Sequence, residues 1–422
     1  MKRLSSSFLI LVVIFFSAYL ILRTWKGTDL LQSGRSKEIL IEAIRLVPRS
    51  PDPFYRLGLF YQWDIRSMDP GESLKFFKEA IDRNPFDQRY WLSVAQVLHT
   101  NGERKKSKKA LEKAVSVFPA SYAGRWAAGI LLLQQGALEG ALPHFTYILS
   151  HYPNRSNQVY DVMRRAIPDP DLLFEKLVPK DIAFLNRYVA YLYEIGDPES
   201  AKKMWEKKVF YGFKSSREET LRHLHFLIAH GELNEAFRVW NRRLAEEELS
   251  APADGNLITN GSFEQEMILG GGFDWKITNV KGAEICFDPS VAFEGNRSLR
   301  IVFDGKENVN FHHVYQYLSL KPDSEYLLSA HVKSRGVTTR SGVKLEVVGI
   351  GQNFYQASDP LTGDNEWKEL TIAFKTPARS QGGLVRVRRE KTEKLDRFIS
   401  GSVWIDNLRL TEKEAASPPK KR

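Results

Sequence analysis

The chain opens on an apolar run without a charge, Phe8 to Leu22 (FLILVVIFFSAYLIL). With Leu4 to Ser7 it makes 19 residues, which at about 1.5 Å per residue nearly cross a hydrocarbon layer about 30 Å thick. Apolar positions then recur at helical spacing over 36–248. The small, turn-forming residues 250–255 (SAPADG) read as a linker, and after them the period drops to two. Leu299, Ile301 and Phe303 alternate, as do Val314, Leu318 and Leu320 with Gln316 on their side. So do Tyr326, Leu328, Ala330 and Val332, then Val343, Leu345 and Val347, then Leu370, Ile372 and Phe374. Val385 and Val387 alternate with arginines, and Val403 and Ile405 with Trp404 and Asp406. Short alternating runs separated by Gly, Pro and Asp turns predict a β-sandwich over 256–411. The remaining 412–422 are a basic tail expected to be disordered.

The ends of the first run decide how it is read. Lys2 and Arg3 precede it, and Arg23, Trp25 and Lys26 follow it. A cleaved signal peptide needs a small-x-small site after its apolar stretch. Here Ser17 and Ala18 are followed by Tyr-Leu-Ile-Leu, so an uncleaved signal anchor over 8–22 fits better. Trp25 suits the interfacial aromatic belt. The tip, residues 1–7, is short and basic, which places it inside and the bulk of the chain outside the cytoplasm.

Composition narrows the classes. A chain of 422 residues, 43% hydrophobic and 27% charged, is globular rather than disordered. One cysteine, Cys286, excludes an intrachain disulfide framework and a cysteine zinc cage. The formal charge of +10 lies mostly on the helical half. No aromatic-basic motif accompanies it, so it does not argue for nucleic acid.

A repeat organises the helical half. Pro85, Pro119 and Pro153 are spaced 34 residues apart, and Ala95/Gly129, Gly102/Gly136 and Ser107/Ala141 keep the same step. The segment 90–119, with Trp91, Ala95, Gly102, Ser107, Leu111, Ala114 and Pro119, resembles the tetratricopeptide family. Small residues let helices A and B of each unit approach, and the proline ends helix B. The unit before it carries three extra residues in its turn, and 36–48 reads as an orphan helix B. Gly196, Ala201 and Trp205 recur as Gly231, Ala236 and Trp240, while Pro168, Pro170 and Pro179 interrupt the period. The resemblance implies a solenoid whose helix-A groove holds a protein partner. Tyr90, Gln96, Arg125 and Tyr188 are the candidate groove residues.

The sandwich opens NLITNGSFEQ (256–265) and closes GSVWIDNLRLT (401–411), with EGNRSLRIVF, VYQYLSLKPDSEYLLSAHVKS and EWKELTIAFKTP between. That order resembles the jelly-roll carbohydrate-binding modules of the galactose-binding-like group. The fold class expected is therefore multidomain: an all-α tetratricopeptide solenoid followed by an all-β jelly-roll sandwich. The resemblance implies a structural calcium at Glu264 and Asp406, and a glycan on an exposed sheet. Aromatic faces stack on pyranose rings while polar groups take the hydroxyls. The candidates are His312, His313, Tyr315, Tyr317, Phe354, Tyr355, Arg386 and Arg388. Trp367 and Trp404 match framework positions and are expected in the core.

Catalytic signatures are lacking. The run GGGF (270–273) has no Lys-Ser/Thr and reads as a loop tip. His223 and His225, two apart on a helix, face different ways. There is no HExxH or GxSxG. The reading is a non-catalytic, membrane-anchored scaffold, its resemblance pointing to envelope polysaccharide assembly or export on the periplasmic side of a bacterial inner membrane. Two alternatives stand beside it: a jelly roll that binds protein rather than glycan, and a hydrolase whose paired carboxylates no motif reveals.

Overall fold

The computed structural model describes residues 2–34, 36–249, 255–351 and 354–413, with side chains from Phe8 onward. Most of the 250–255 linker and of the basic tail, and the tip before Phe8 except its backbone, lie outside that description. Fourteen α-helices among the described residues precede ten strands. Residues 1–195 with 200–208 form one compact unit, and 196–199 with 209–422 a second.

The first unit is an array of helix pairs. α1 (Lys2–Ser33) pairs with α2 (Lys37–Leu46), α3 (Asp52–Trp63) with α4 (Pro70–Arg83), α5 (Gln88–Thr100) with α6 (Arg104–Val117), and α7 (Tyr122–Gln134) with α8 (Leu138–His151). The segment that reads as an orphan helix B has its helix A after all: it is the C-terminal third of α1. Leu31 of α1 joins Leu40, Ala43 and Leu57 in a buried cluster. The periodicity hides this because the apolar span and the pairing segment are one continuous helix.

The repeat positions act through close approach. A Cβ on Gly58 would stand 2.6 Å from the Phe77 ring, and one on Gly129 would stand 2.7 Å from Phe145. Ser73 Oγ donates to the Gly58 carbonyl at 2.9 Å, and Ser107 Oγ to that of Ala95 at 2.7 Å, so the same A–B bond recurs in successive units. Gly102 and Gly136 take φ of 79° and 74° at the A–B turns, where residues with a side chain are strained. Each B helix stops one or two residues before Pro85, Pro119 or Pro153. Helix N-termini are capped by Ser36, Asp69, Asp87 and Ser121, whose side chains accept from first-turn N–H groups. The proline-rich stretch still folds as a shorter pair, α9 (Ser156–Ala166) and α10 (Pro170–Leu177), followed by α11 (Ile182–Glu194) and α12 (Pro198–Phe210).

The second unit holds α13 (Arg217–Ala229), α14 (Leu233–Glu246) and two five-stranded antiparallel sheets. One sheet has the order β1 (Lys276–Ile277), β4 (Phe311–Leu318), β9 (Gly383–Arg389), β6 (Lys344–Gly349), β7 (Tyr355–Ala357). The other has β2 (Ala283–Asp288), β3 (Ser298–Asp304), β10 (Ser400–Glu412), β5 (Glu325–Val337), β8 (Gly363–Lys375). The alternating apolar sets supply the core between them. Gln316, the polar member, is buried and exchanges two bonds with the Thr259 backbone, at 2.9 and 2.8 Å. The edge strands β1, β2 and β7 have no clean alternation, which is why periodicity does not predict them.

Trp404 is buried as expected, but on the outer side of its sheet. It alternates with the inward Val403 and Ile405. Its indole N–H donates to Asp288 Oδ2 at 2.8 Å, beneath the Arg300 guanidinium. Trp367 is half-buried beside Phe293. Both rings brace the outer side of the second sheet.

Candidate functional site

Strand alternation builds the outer face of the first sheet. On β4, Val314, Gln316 and Leu318 turn inward, so Tyr315 and Tyr317 turn out and are half-buried. Their rings meet edge to face, centroids 5.7 Å apart. The register aligns Lys276, Tyr315, Arg386 and Glu346 in one row across four strands. Tyr317, Leu384, Val348 and Tyr355 form the next.

Glu346 sits at the centre of this face, fully buried by its own partners. Arg386 Nε donates to Oε2 at 2.7 Å, and the Tyr355 hydroxyl donates to Oε1 at 2.6 Å. Lys344 Nζ lies 3.3 Å from Oε1, and Arg388 Nε lies 3.8 Å from Oε2. Burial alone would raise the Glu346 carboxyl, but the bonds from Tyr355, Arg386 and Lys344 outweigh it and hold the group below its ordinary value. Burial pushes the Tyr317 phenol up, with Tyr315 adding to it. The result is a platform of three tyrosines around an ion-paired polar row.

The sequence candidates fall into three groups. Tyr315, Tyr317, Tyr355, Arg386 and Arg388 share this face. His313 is half-buried and the exposed His312 lies against it at the start of β4, ring centroids 4.5 Å apart. Phe354 goes elsewhere: it packs on the core against Phe374, centroids 5.4 Å apart. Glu346 is the residue that sequence reasoning missed. Its signal was present, an acid at an outward position of one strand next to a strand reading VRVRR.

In the array, Tyr90 and Tyr188 are among the largest fully buried side chains. They fill the space between helices, so they cannot line an accessible groove, a correction to their expected role. Gln96 is exposed, and Arg125 stacks over the Tyr147 ring at 4.3 Å. Two grooves do exist. One of about 580 Å³ lies on α3 and α5, with Tyr55, Arg56, Trp63 and Arg89. The other, about 870 Å³, lies between α6 and α8, with an apolar floor including Leu111, Val115 and Leu138 and a basic rim of Arg104, Lys105 and Lys108.

At the other edge of the sandwich, Asp406 is fully buried and accepts from the backbone N–H groups of Phe293, Glu294 and Asn407 at 2.8, 3.1 and 2.7 Å. Burial, with Glu264 contributing, pushes its carboxyl up. Glu264 accepts from the Asn296 and Arg297 N–H groups, at 2.9 and 3.3 Å. Neither carboxylate has a cationic side chain within ion-pair distance among the described residues, which fits a bound cation in charge. In number the side chains fall short: no cluster of three acidic, histidine or cysteine groups occurs among the described residues. A calcium ion here would need backbone carbonyls for most of its six to eight oxygens.

The Gly-rich run is more than a loop tip. The N–H groups of Leu269, Gly270 and Gly271 all donate to Asp274 Oδ2, at 3.0, 2.6 and 3.1 Å. These donors are spent on the chain's own carboxylate. Phe273 is buried against Trp240 of α14.

The sandwich resembles known proteins in sequence as well as in fold. Residues 255–393 match the carbohydrate binding domain family. The match spans about a third of the chain. Among solved structures, a family 16 carbohydrate binding module shares 20% identity over 37% of this chain and 99% of its own, with a TM-score of 0.27. A family 22 xylan-binding domain from Paenibacillus barcinonensis shares 15% over 39% of this chain and 100% of its own, with a TM-score of 0.27. The Pseudomonas aeruginosa protein pilF shares 14% over 56% of this chain and 94% of its own, with a TM-score of 0.28. No curated protein matches the chain in sequence. By its recurring helix-pair contacts, its two antiparallel sheets and the family match over 255–393, the chain joins a tetratricopeptide-like helical array to a carbohydrate-binding-module-like sandwich.

Proposed function

We propose that this chain is a membrane-anchored, non-catalytic binding protein of envelope polysaccharide assembly or export. Its sandwich takes a glycan and its helical array holds a protein partner. The observation that carries the reading is the outer face of the first sheet: Tyr315, Tyr317 and Tyr355 offer ring faces and edges around the Arg386–Glu346 pair. The family match over 255–393 supports a sugar as the ligand. The helix from Phe8 to Ser33 is long and apolar enough to cross a membrane, which supports the anchor. The bulk of the chain then lies on the periplasmic side. A reporter fused after Arg422 is expected to be active only outside the cytoplasm, and cytoplasmic activity alone overturns that orientation.

The sugar reading is tested by titrating the detergent-solubilised full chain against a panel of envelope polysaccharides. Tyr315→Ala and Tyr317→Ala are each expected to weaken binding about 5- to 150-fold, the loss of roughly 1–3 kcal/mol for an anchoring ring. Unchanged melting with lost binding supports the platform. A wild type that binds no glycan, with tyrosine variants that release a co-purified protein, favours the protein-interaction reading.

Glu264 and Asp406 are the side chains proposed to hold a structural calcium. An ion bound only by the folded state stabilises by mass action. A chelator is therefore expected to lower the melting temperature of the wild type and leave Asp406→Ala unmoved. A wild type indifferent to chelation removes the metal.

A further inference from the structure

The continuity of α1 fixes where the array stands against the bilayer. This inference rests on reading α1 as a membrane span. The helix runs unbroken from Lys2 to Ser33, and its apolar run ends at Leu22. Arg23 Nη2 donates to the carbonyl of Arg45, near the end of α2, at 2.7 Å. One turn further, Gly27 approaches Val47 so closely that a Cβ would stand 2.8 Å from a methyl. Gly27 lies about 6 Å beyond Arg23 along the axis, and the headgroup layer of one leaflet is roughly 5–8 Å thick. A span ending at Leu22 therefore sets the turn at 47–51 in or at the edge of the headgroups.

A second turn stands at the same level. Arg83, at the end of α4, donates through Nε to the Pro48 carbonyl at 2.8 Å and stacks on Phe54 at 3.7 Å. Just beyond it Phe86 projects from the 84–87 turn, 81% exposed. Arg45 and Arg49, on either side of the turn at Val47 and Pro48 that Arg83 reaches, are exposed. Arg23 and Arg49 form no ion pair among the described residues. Most acids of this edge are engaged, Glu42 by Arg45, Glu79 by Arg83, and Asp52 and Asp87 by Arg89, while Asp82 is exposed and leaves the arginines in excess. An exposed aromatic ring on one turn and exposed arginines at the turn bonded to it, both at headgroup depth, have the composition of an interfacial contact.

We propose that Arg23, Arg45, Arg49 and Phe86 form a second membrane contact, which binds anionic phospholipid headgroups and holds the array down on the bilayer. The arginines take phosphate oxygens, and Phe86 enters the boundary between headgroups and acyl chains.

The test uses the full chain in a Cys286→Ser background, reconstituted into vesicles of phosphatidylcholine with or without phosphatidylglycerol. Single cysteines replace Phe86, Ala18 in the span, and Ile65, which is 89% exposed on the turn at the opposite end of α3. Each carries an environment-sensitive fluorophore, and spin-labelled lipid is the quencher. The expected result is quenching at positions 18 and 86 and none at 65. The signal at 86 should weaken without phosphatidylglycerol, or on Arg45→Glu/Arg49→Glu. Quenching at 18 with none at 86 overturns the contact and leaves the span standing. No quenching at 18 overturns the span and the contact with it. Equal quenching at 86 in both lipid mixtures overturns the headgroup specificity.

Discussion

Gly129 and Gly102 are both fixed by the repeat, for opposite reasons. At Gly129 the backbone is ordinary and the space is absent, because the Phe145 ring occupies the position of a Cβ. At Gly102 the space is open and the backbone is left-handed, φ 79°. Gly129→Val should overpack the A–B contact and cost roughly 1–3 kcal/mol. Gly102→Ala should cost only its backbone strain, about 1 kcal/mol. Thermal melts of the full chain followed by circular dichroism rank the two, and an equal or reversed order contradicts this account. Such residues are legible in a sequence because geometry admits one residue type. Tyr90 and Tyr188 are not, since a tyrosine at a helix-A position serves equally as a buried filler or as a groove wall. Only the neighbouring helices decide.

Strands and their pairing carry the candidate site, and Glu346 ties three of them. Its partners lie on β9 and β7 as well as on its own β6. Its folded pKa lies below its ordinary 4.5. The stabilisation is therefore complete above about pH 4.5 and is lost as pH falls through the lower folded value. Glu346→Gln should lower stability by roughly 1–3 kcal/mol at neutral pH. It should cost progressively less as pH falls below about 4.5, so that variant and wild type draw together in acid. Melting temperatures across pH 3–7 check this, and a gap independent of pH would show that the carboxylate charge is not what binds the strands. The alternation of apolar residues made seven strands of the sandwich legible. It could not place Glu346, because periodicity assigns a face to a residue and says nothing of its cross-strand neighbour. Phe354 eluded it as well: an aromatic in a loop has no period to fix its direction.

At the scale of the whole molecule, the change of hydrophobic period near 250 and the boundary of compact packing need not coincide. Gly196, Ala201 and Trp205 match Gly231, Ala236 and Trp240, which makes α13 and α14 read as one more repeat. In the structure that pair belongs to the compact unit of the sandwich. Trp240 and Phe273 are buried together. Gly272 lies under the Trp240 ring, where a Cβ would stand 2.8 Å away, and Gly382 lies as close to Leu233. Asn234 accepts from Ser319 Oγ at 2.8 Å. Burying large apolar side chains of this kind stabilises by roughly 1.5–3 kcal/mol each. We therefore expect limited proteolysis to release a fragment beginning near 209 and containing both α13 and α14. Cutting first at 250–254 is compatible with this only if the two pieces stay associated. A fragment starting at residue 209 should melt well above one starting at 255, and Trp240→Ala should lower the longer fragment toward the shorter. If the two fragments melt alike, the sandwich is complete without its helices, and the change of period was the true boundary.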